Sequence, residues 1–224
     1  MVDDIIKYIS IFLALMIVLP LHEFAHAFAA VKHGDLTPKL NNRYTLNPLA
    51  HFDLIGLVCF ALVGFGWAKP VPINPNNFNS YKKGCFWVSI AGVLANYLLA
   101  FVAFPLAFLS LNLYFTNIQL GYFTDVIIST LYYIYNFSLS FFVFNLLPIY
   151  PLDGFRVLDV FNKKRGKVYR FLRDKGIYIL YGLFFLGILA DITNIWQLDI
   201  LGIIISTLSG ILGYPITCFW GLIF

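Results

Sequence analysis

The chain is poor in charge and in most of the side chains that carry chemistry. Its 224 residues include a single Glu, four His, three Cys and two Met, and 12% of them are charged. An ordinary soluble domain carries about twice that share of charge, so this composition excludes one. Cys59, Cys85 and Cys218 are scattered without a CxxC, which excludes a thiolate metal site and a disulfide framework and leaves three small hydrophobes. No basic segment precedes the first apolar run, which opens with Asp3 and Asp4, so that run reads as a retained helix and not a signal peptide. There is no internal repeat and no low-complexity tract. The net charge of +4 resides in loops between apolar runs, which suits anionic lipid headgroups and argues against nucleic acid as a partner.

Apolar sequence fills the space that charge leaves. Hydrophobic residues make up 60% of the chain and mean hydropathy is +0.81. This predicts an all-α polytopic membrane protein forming one domain over 1–224, with a core at about 5–158 and C-terminal helices at about 176–224. Five full spans are expected: Ile5 to about Val31, Gly84 to about Leu111, Tyr122 to Leu147, Ile177 to Ile195, and Leu198 to Phe224. Residues 52–67 are apolar but too short for a span of about 20 residues, which makes them a re-entrant or interfacial segment. The following Lys69-Pro70-Val71-Pro72-Ile73-Asn74-Pro75 is expected to be an extended, proline-rich loop.

The lone Glu lies in the first span, inside His22-Glu23-Phe24-Ala25-His26. Residues four apart share a helix face, so His22 and His26 can offer two nitrogens to one zinc ion with Glu23 beside its open position. Ionisable groups at bilayer depth cost several kcal/mol unless paired or metal-bound, so this cluster reads as a site. Pro20, just upstream, frees the carbonyl of Met16 and can bend the helix there. Two histidines require a third ligand. The candidates are Asp153, His33 and His51, and Asp153 is favoured because it follows an apolar helix between Pro151 and Gly154, on backbone able to turn inward.

Ligands of one ion must sit at one depth, which tests the topology. If 52–67 crossed the membrane, Asp153 would emerge on the face opposite the histidines. If it does not cross, fourteen of the fifteen basic residues share one face and only Lys7 lies opposite. The positive-inside rule makes that face cytoplasmic. The expectation is an outside N-terminus, an inside C-terminus and a zinc site nearer the cytoplasm, in the cell membrane of a prokaryote.

With both motifs placed, the chain resembles the site-2 protease family of intramembrane zinc metalloproteases, peptidase family M50. The resemblance covers most of residues 18 to 158. It rests on His22-Glu23-Phe24-Ala25-His26, on Asn47-Pro48-Leu49-Ala50-His51-Phe52-Asp53, on Gly66-Trp67-Ala68-Lys69-Pro70-Val71-Pro72-Ile73-Asn74-Pro75, and on Asn145-Leu146-Leu147-Pro148-Ile149-Tyr150-Pro151-Leu152-Asp153-Gly154. It implies one zinc per chain, Asp153 as third ligand, Glu23 as general acid/base, and Asn145 as a substrate or oxyanion contact. The family's Gly-Pro-x-x-Asn is here Gly92-Val93-Leu94-Ala95-Asn96, which keeps the polar position, a candidate substrate contact, without the proline. The PDZ or CBS domain of many relatives does not fit within this length. The partners implied are the bilayer and a single-span protein substrate, such as a membrane-tethered signalling regulator.

Some residues keep two readings. Asn145 either steadies an oxyanion or caps the helix before Asp153. Pro70, Val71 and Pro72 either pair with an unwound substrate as an added strand or shield the zinc from lipid. The basic run from Lys163 to Lys175 reads as an interfacial helix on anionic lipid, with a partner site as the alternative. The competing functions are a zinc-binding scaffold that cuts nothing, disfavoured because Glu23 is present and no fourth ligand is evident, and a channel or transporter.

Overall fold

The computed structural model describes residues 2–53, 55–56, 68–115, 121–162 and 164–224. The named elements among them are all helical: α1 (Val2–Lys32), the single turns α2 (Thr37–Leu40) and α3 (Pro48–His51), α4 (Tyr81–Phe115), α5 (Tyr122–Leu146), α6 (Asp153–Phe161), α7 (Lys167–Thr193) and α8 (Ile200–Gly221). Helices α1, α4, α5, α7 and α8 are long and apolar enough to cross a membrane, as an all-α polytopic chain requires. α1 runs unbroken through Pro20.

Helices α1, α4 and α5 make the core. Ala14 and Val18 of α1 pack with Ala103 of α4 and Ile134 of α5, all buried. In lipid no hydrophobic force draws helices together, so small side chains that let backbones approach are what such an interface needs. The Ser10 hydroxyl donates to the carbonyl of Val126 at 3.2 Å, tying α1 to α5. α4 and α5 run in opposite directions, as do α1 and α4, so the end of α1, the start of α4 and the end of α5 meet at one end of the bundle.

α8 departs from the expected alternation. Its contacts climb α4 in step: the Tyr97 hydroxyl donates to Leu212 O at 3.2 Å, Trp220 Nε1 donates to Phe101 O at 2.9 Å, and the Phe224 ring lies 5.8 Å from that of Phe108. α8 therefore runs alongside α4 in the same direction. The chain's last residues lie against the half of α4 remote from His22 and His26, where an alternating count of spans had returned them to the near end. Hydropathy counts apolar helices but carries no information on their tilt or partners, and here interlocking aromatics set the direction.

The segment expected to be re-entrant, 52–67, lies mostly outside the described residues, but its flanks do not. Phe52 and Ala68 form an antiparallel bridge, and the Lys69 N–H donates to His51 O at 2.7 Å. A single crossing would part these flanks by about 30 Å. The chain leaves and returns at one place.

Residues 69–79 then run beside the end of α1. Asp35, fully buried, accepts from the Thr37 N–H at 3.0 Å, the Asn74 N–H at 2.7 Å and the Asn77 amide at 2.8 Å. Burial would raise this carboxyl; the donors around it, led by the Thr37 hydroxyl, outweigh burial and hold it below the ordinary carboxylate range. The Asn79 N–H donates to His33 O at 2.8 Å. Gly34 makes the turn at φ +104°, and a Cβ there would come within 2.7 Å of Asn79 Oδ1.

Candidate metal centre

His22 and His26 lie one turn apart on α1, facing α4, and both are buried. Asp153 arrives from the third side as the first residue of α6. Its approach depends on Gly154, where a Cβ would stand 2.2 Å from the carbonyl oxygen of Leu146. That close contact folds α6 back against the end of α5 and turns the buried Asp153 carboxylate inward.

Three ligand atoms converge. His22 Nε2 and His26 Nε2 are 3.0 Å apart, and Asp153 Oδ2 lies 3.3 Å from the first and 3.0 Å from the second. Tetrahedral zinc with ligand bonds of about 2.0–2.2 Å spaces its ligand atoms about 3.3–3.5 Å apart, close to this triangle. His26 Nδ1 lies 2.7 Å from the carbonyl of Val88, which fixes the ring proton on Nδ1 and leaves a lone pair on Nε2. Two imidazole lone pairs and a carboxylate oxygen in mutual contact repel one another unless a cation stands among them. Asp153 Oδ2 is buried and otherwise without a hydrogen-bond partner. The donor set fits zinc.

α4 passes over the histidines at Gly92. A Cβ built there would lie 2.4 Å from His26 Nε2 and 2.8 Å from His22 Nε2, so only glycine leaves the space where the ligands meet. One turn further, the Asn96 amide lies 3.1 Å from His22 Nδ1 while its Oδ1 is buried and unpaired. A histidine that gives Nε2 to a metal carries its proton on Nδ1 and needs an acceptor. With the Asn96 amide turned end for end, Oδ1 takes that proton and both mismatches vanish. Asn96, expected to touch substrate, instead lies behind a ligand.

Glu23 is half-buried beside the histidines, and its Oε2 accepts the Val71 N–H at 3.0 Å. Val71 is flanked by Pro70 and Pro72, which have no N–H, so the one donor in that tripeptide is spent on Glu23. The Asn145 amide donates to Phe141 O of its own helix at 3.1 Å. Neither alternative third ligand joins the cluster. His33 Nδ1 lies 2.9 Å from Ala29 O, and His51 Nε2 2.8 Å from Thr45 O. Among the described residues, His22, His26 and Asp153 form the cluster able to hold a metal, and no fourth protein ligand accompanies them.

The profile of peptidase family M50 matches residues 10–189, an interval that takes in the histidines, Gly92, Asn96 and Asp153. The chain belongs to peptidase family M50. It is also 38% identical over 148 residues to a Bacillus subtilis (strain 168) protein described as "Putative zinc metalloprotease YwhC", a match covering 66% of this chain and 66% of that relative. No solved structure gives a significant match. Membership of M50 supports a zinc metalloprotease built into a multi-pass membrane protein.

Three features of the centre were not drawn from the sequence. Gly92 acts by the side chain it lacks, Val88 offers no side-chain signal because its carbonyl does the work, and the Val71 contact depends on the path of the loop. Asn96 did carry a signal. An amide in an uncharged apolar helix must find a buried partner.

Proposed function

We propose that this M50 protein is an intramembrane protease, hydrolysing a peptide bond within or near the transmembrane segment of a membrane protein. The observation that carries the reading is the pairing of Glu23 with a three-ligand set that keeps a fourth position open. His22, His26 and Asp153 would hold the zinc. When bound, zinc polarises the scissile carbonyl and acidifies water. The remaining steps belong to the chain. The Val71 N–H holds Glu23 Oε2, leaving Oε1 to take the proton of an attacking water and return it to the leaving amine. Val88 and Asn96 keep the two rings turned with Nε2 inward. Asn145 can steady an oxyanion only by releasing Phe141 O.

Water and lipid make different demands on a substrate. Carbonyls in an intact helix are occupied by their own hydrogen bonds, so a substrate span must unwind to present one. The loop at Pro70, Val71 and Pro72 lies beside Glu23, and an unwound strand can pair with its carbonyls and with the Ile73 N–H, since the Val71 and Asn74 donors are taken. The substrate class is a single-span protein such as a membrane-tethered signalling regulator. The basic residues gathered at the site end support a site facing the cytoplasm of a prokaryotic cell membrane.

The test is cleavage of a panel of single-span substrates by zinc-loaded protein in detergent, comparing wild type with Glu23→Gln and Asp153→Asn. Wild type is expected to cut within the apolar segment and both variants to be inactive, with only Asp153→Asn losing zinc. Equal cleavage by Glu23→Gln refutes the mechanism. Zinc at one per chain without any cleavage favours a non-catalytic scaffold.

A further inference from the structure

A cavity of about 850 Å³ lies beside the metal centre, at the near end of the bundle. That is ample for a ligand segment, since binding pockets run to about 300–1,000 Å³. Its inner wall includes Val71, whose N–H holds Glu23, and Val88, whose carbonyl holds His26. The cavity therefore shares two wall residues with the surroundings of Glu23 and His26. Its outer part is built from the start of α4, from α6 and from the start of α7, where Lys82, Arg156, Arg165 and Arg173 meet a single acid, Asp159. Two of these cations are partly answered: Arg165 lies 3.3 Å from Asp159, and Arg173 lies 3.0 Å from its neighbour Asp174. Asp159 is further occupied by the Tyr169 hydroxyl at 2.5 Å. Lys82 and Arg156 are exposed and have no acidic partner among the described residues.

Basic residues that serve only to anchor a protein in lipid fan outward along its rim. These line one cavity, together with Val71, whose N–H holds the candidate catalytic Glu. We propose that this cavity receives the substrate's juxtamembrane segment on the site side of the scissile bond, and that Lys82 and Arg156 select acidic residues in it. The inference rests on the protease reading. It adds a specificity rule that the ligand set cannot supply: a preferred substrate carries Asp or Glu within a few residues of the cut, on the side facing the basic loops. An extended segment advances about 3.3 Å per residue, so a handful of residues reaches from the ligands to the rim.

The test separates this rule from cleavage. Zinc-loaded Glu23→Gln protein in nanodiscs of neutral phosphatidylcholine is titrated with fluorescent single-span peptides that differ only in three juxtamembrane residues: acidic, serine or lysine. The acidic peptide is expected to bind roughly fivefold tighter than the serine peptide and at least tenfold tighter than the lysine peptide, as partly exposed charge pairs allow. Adding Lys82→Glu with Arg156→Glu should invert that order, and Arg156→Gln alone should shrink the preference about twofold. An order unchanged by charge reversal overturns the proposal, as does binding by none of the peptides. If phosphatidylglycerol in the nanodisc abolishes the preference in place of peptide charge, the cavity is a lipid headgroup site and the proposal fails. Failure of the protease reading shows separately, as wild type that binds the peptides and cuts none of them.

Discussion

Gly92→Ala should abolish zinc binding while leaving the metal-free protein folded. The new methyl carbon would stand 2.4 Å from His26 Nε2, 2.7 Å from His22 Cε1 and 2.8 Å from His22 Nε2. Ordinary nonbonded contact is about 3.5 Å, so the His26 ring must retreat by about 1 Å. Zinc tolerates about 0.2 Å of error in a ligand distance, so a shift that large removes the ligand. Without metal the rings can swing aside, and alanine then helps the helix by up to about 1 kcal/mol relative to glycine. The two states move in opposite directions. Zinc at a thousandfold excess over its dissociation constant stabilises wild type by about 4 kcal/mol, and Gly92→Ala should show none of that. Thermal unfolding in detergent, with zinc and with a chelator, reads both effects, and elemental analysis gives zinc per chain. Gly182→Ala and Gly210→Ala are controls, since a Cβ at either position meets nothing within 4 Å. One zinc per chain at wild-type affinity in Gly92→Ala would refute the convergence of ligands beneath α4.

Three further outcomes follow from the geometry. Asn96→Leu should weaken zinc about 10- to 100-fold, whereas Asn96→Asp, which keeps an acceptor for the His22 ring proton, should bind at least as well as wild type; equal loss in both would reject the acceptor role. Gly154→Ala should displace Asp153, since its Cβ meets the Leu146 carbonyl at 2.2 Å, costing about 1–3 kcal/mol of stability together with zinc occupancy; unchanged metal content would count against that contact. Asp35 is held ionised below its ordinary pKa of 3.8, so its contribution to stability is fully present above that value and is lost as pH falls through the lower folded value. Wild type should therefore exceed Asp35→Asn in stability by a constant margin above about pH 5, closing only in stronger acid; a margin that closes near neutrality would contradict the assignment.

The three candidate ligands are legible in the sequence because each carries its own signature. His22 and His26 repeat at a helical interval around the only Glu, and Asp153 sits between Pro151 and Gly154 after an apolar helix. What escaped was supplied by backbone or by long-range packing. Val88 acts through a carbonyl, Gly92 through the side chain it lacks, and Asp35 through a web of donors drawn from residues about forty positions on. Asn96 is visible in the sequence as a lone amide in an apolar helix, but its partner, His22, lies on another helix. The direction of α8 depends on Trp220 and Phe224 finding Phe101 and Phe108, a match between two aromatic-rich faces that hydropathy does not encode.

The bridge between Phe52 and Ala68 has a consequence for engineering. Two chain segments held side by side in antiparallel sense are what a two-residue hairpin turn can close. A chain in which Asn-Gly replaces 53–67 should therefore keep Phe52 beside Ala68 and the Lys69 N–H on His51 O, holding the start of the proline loop where it meets Glu23.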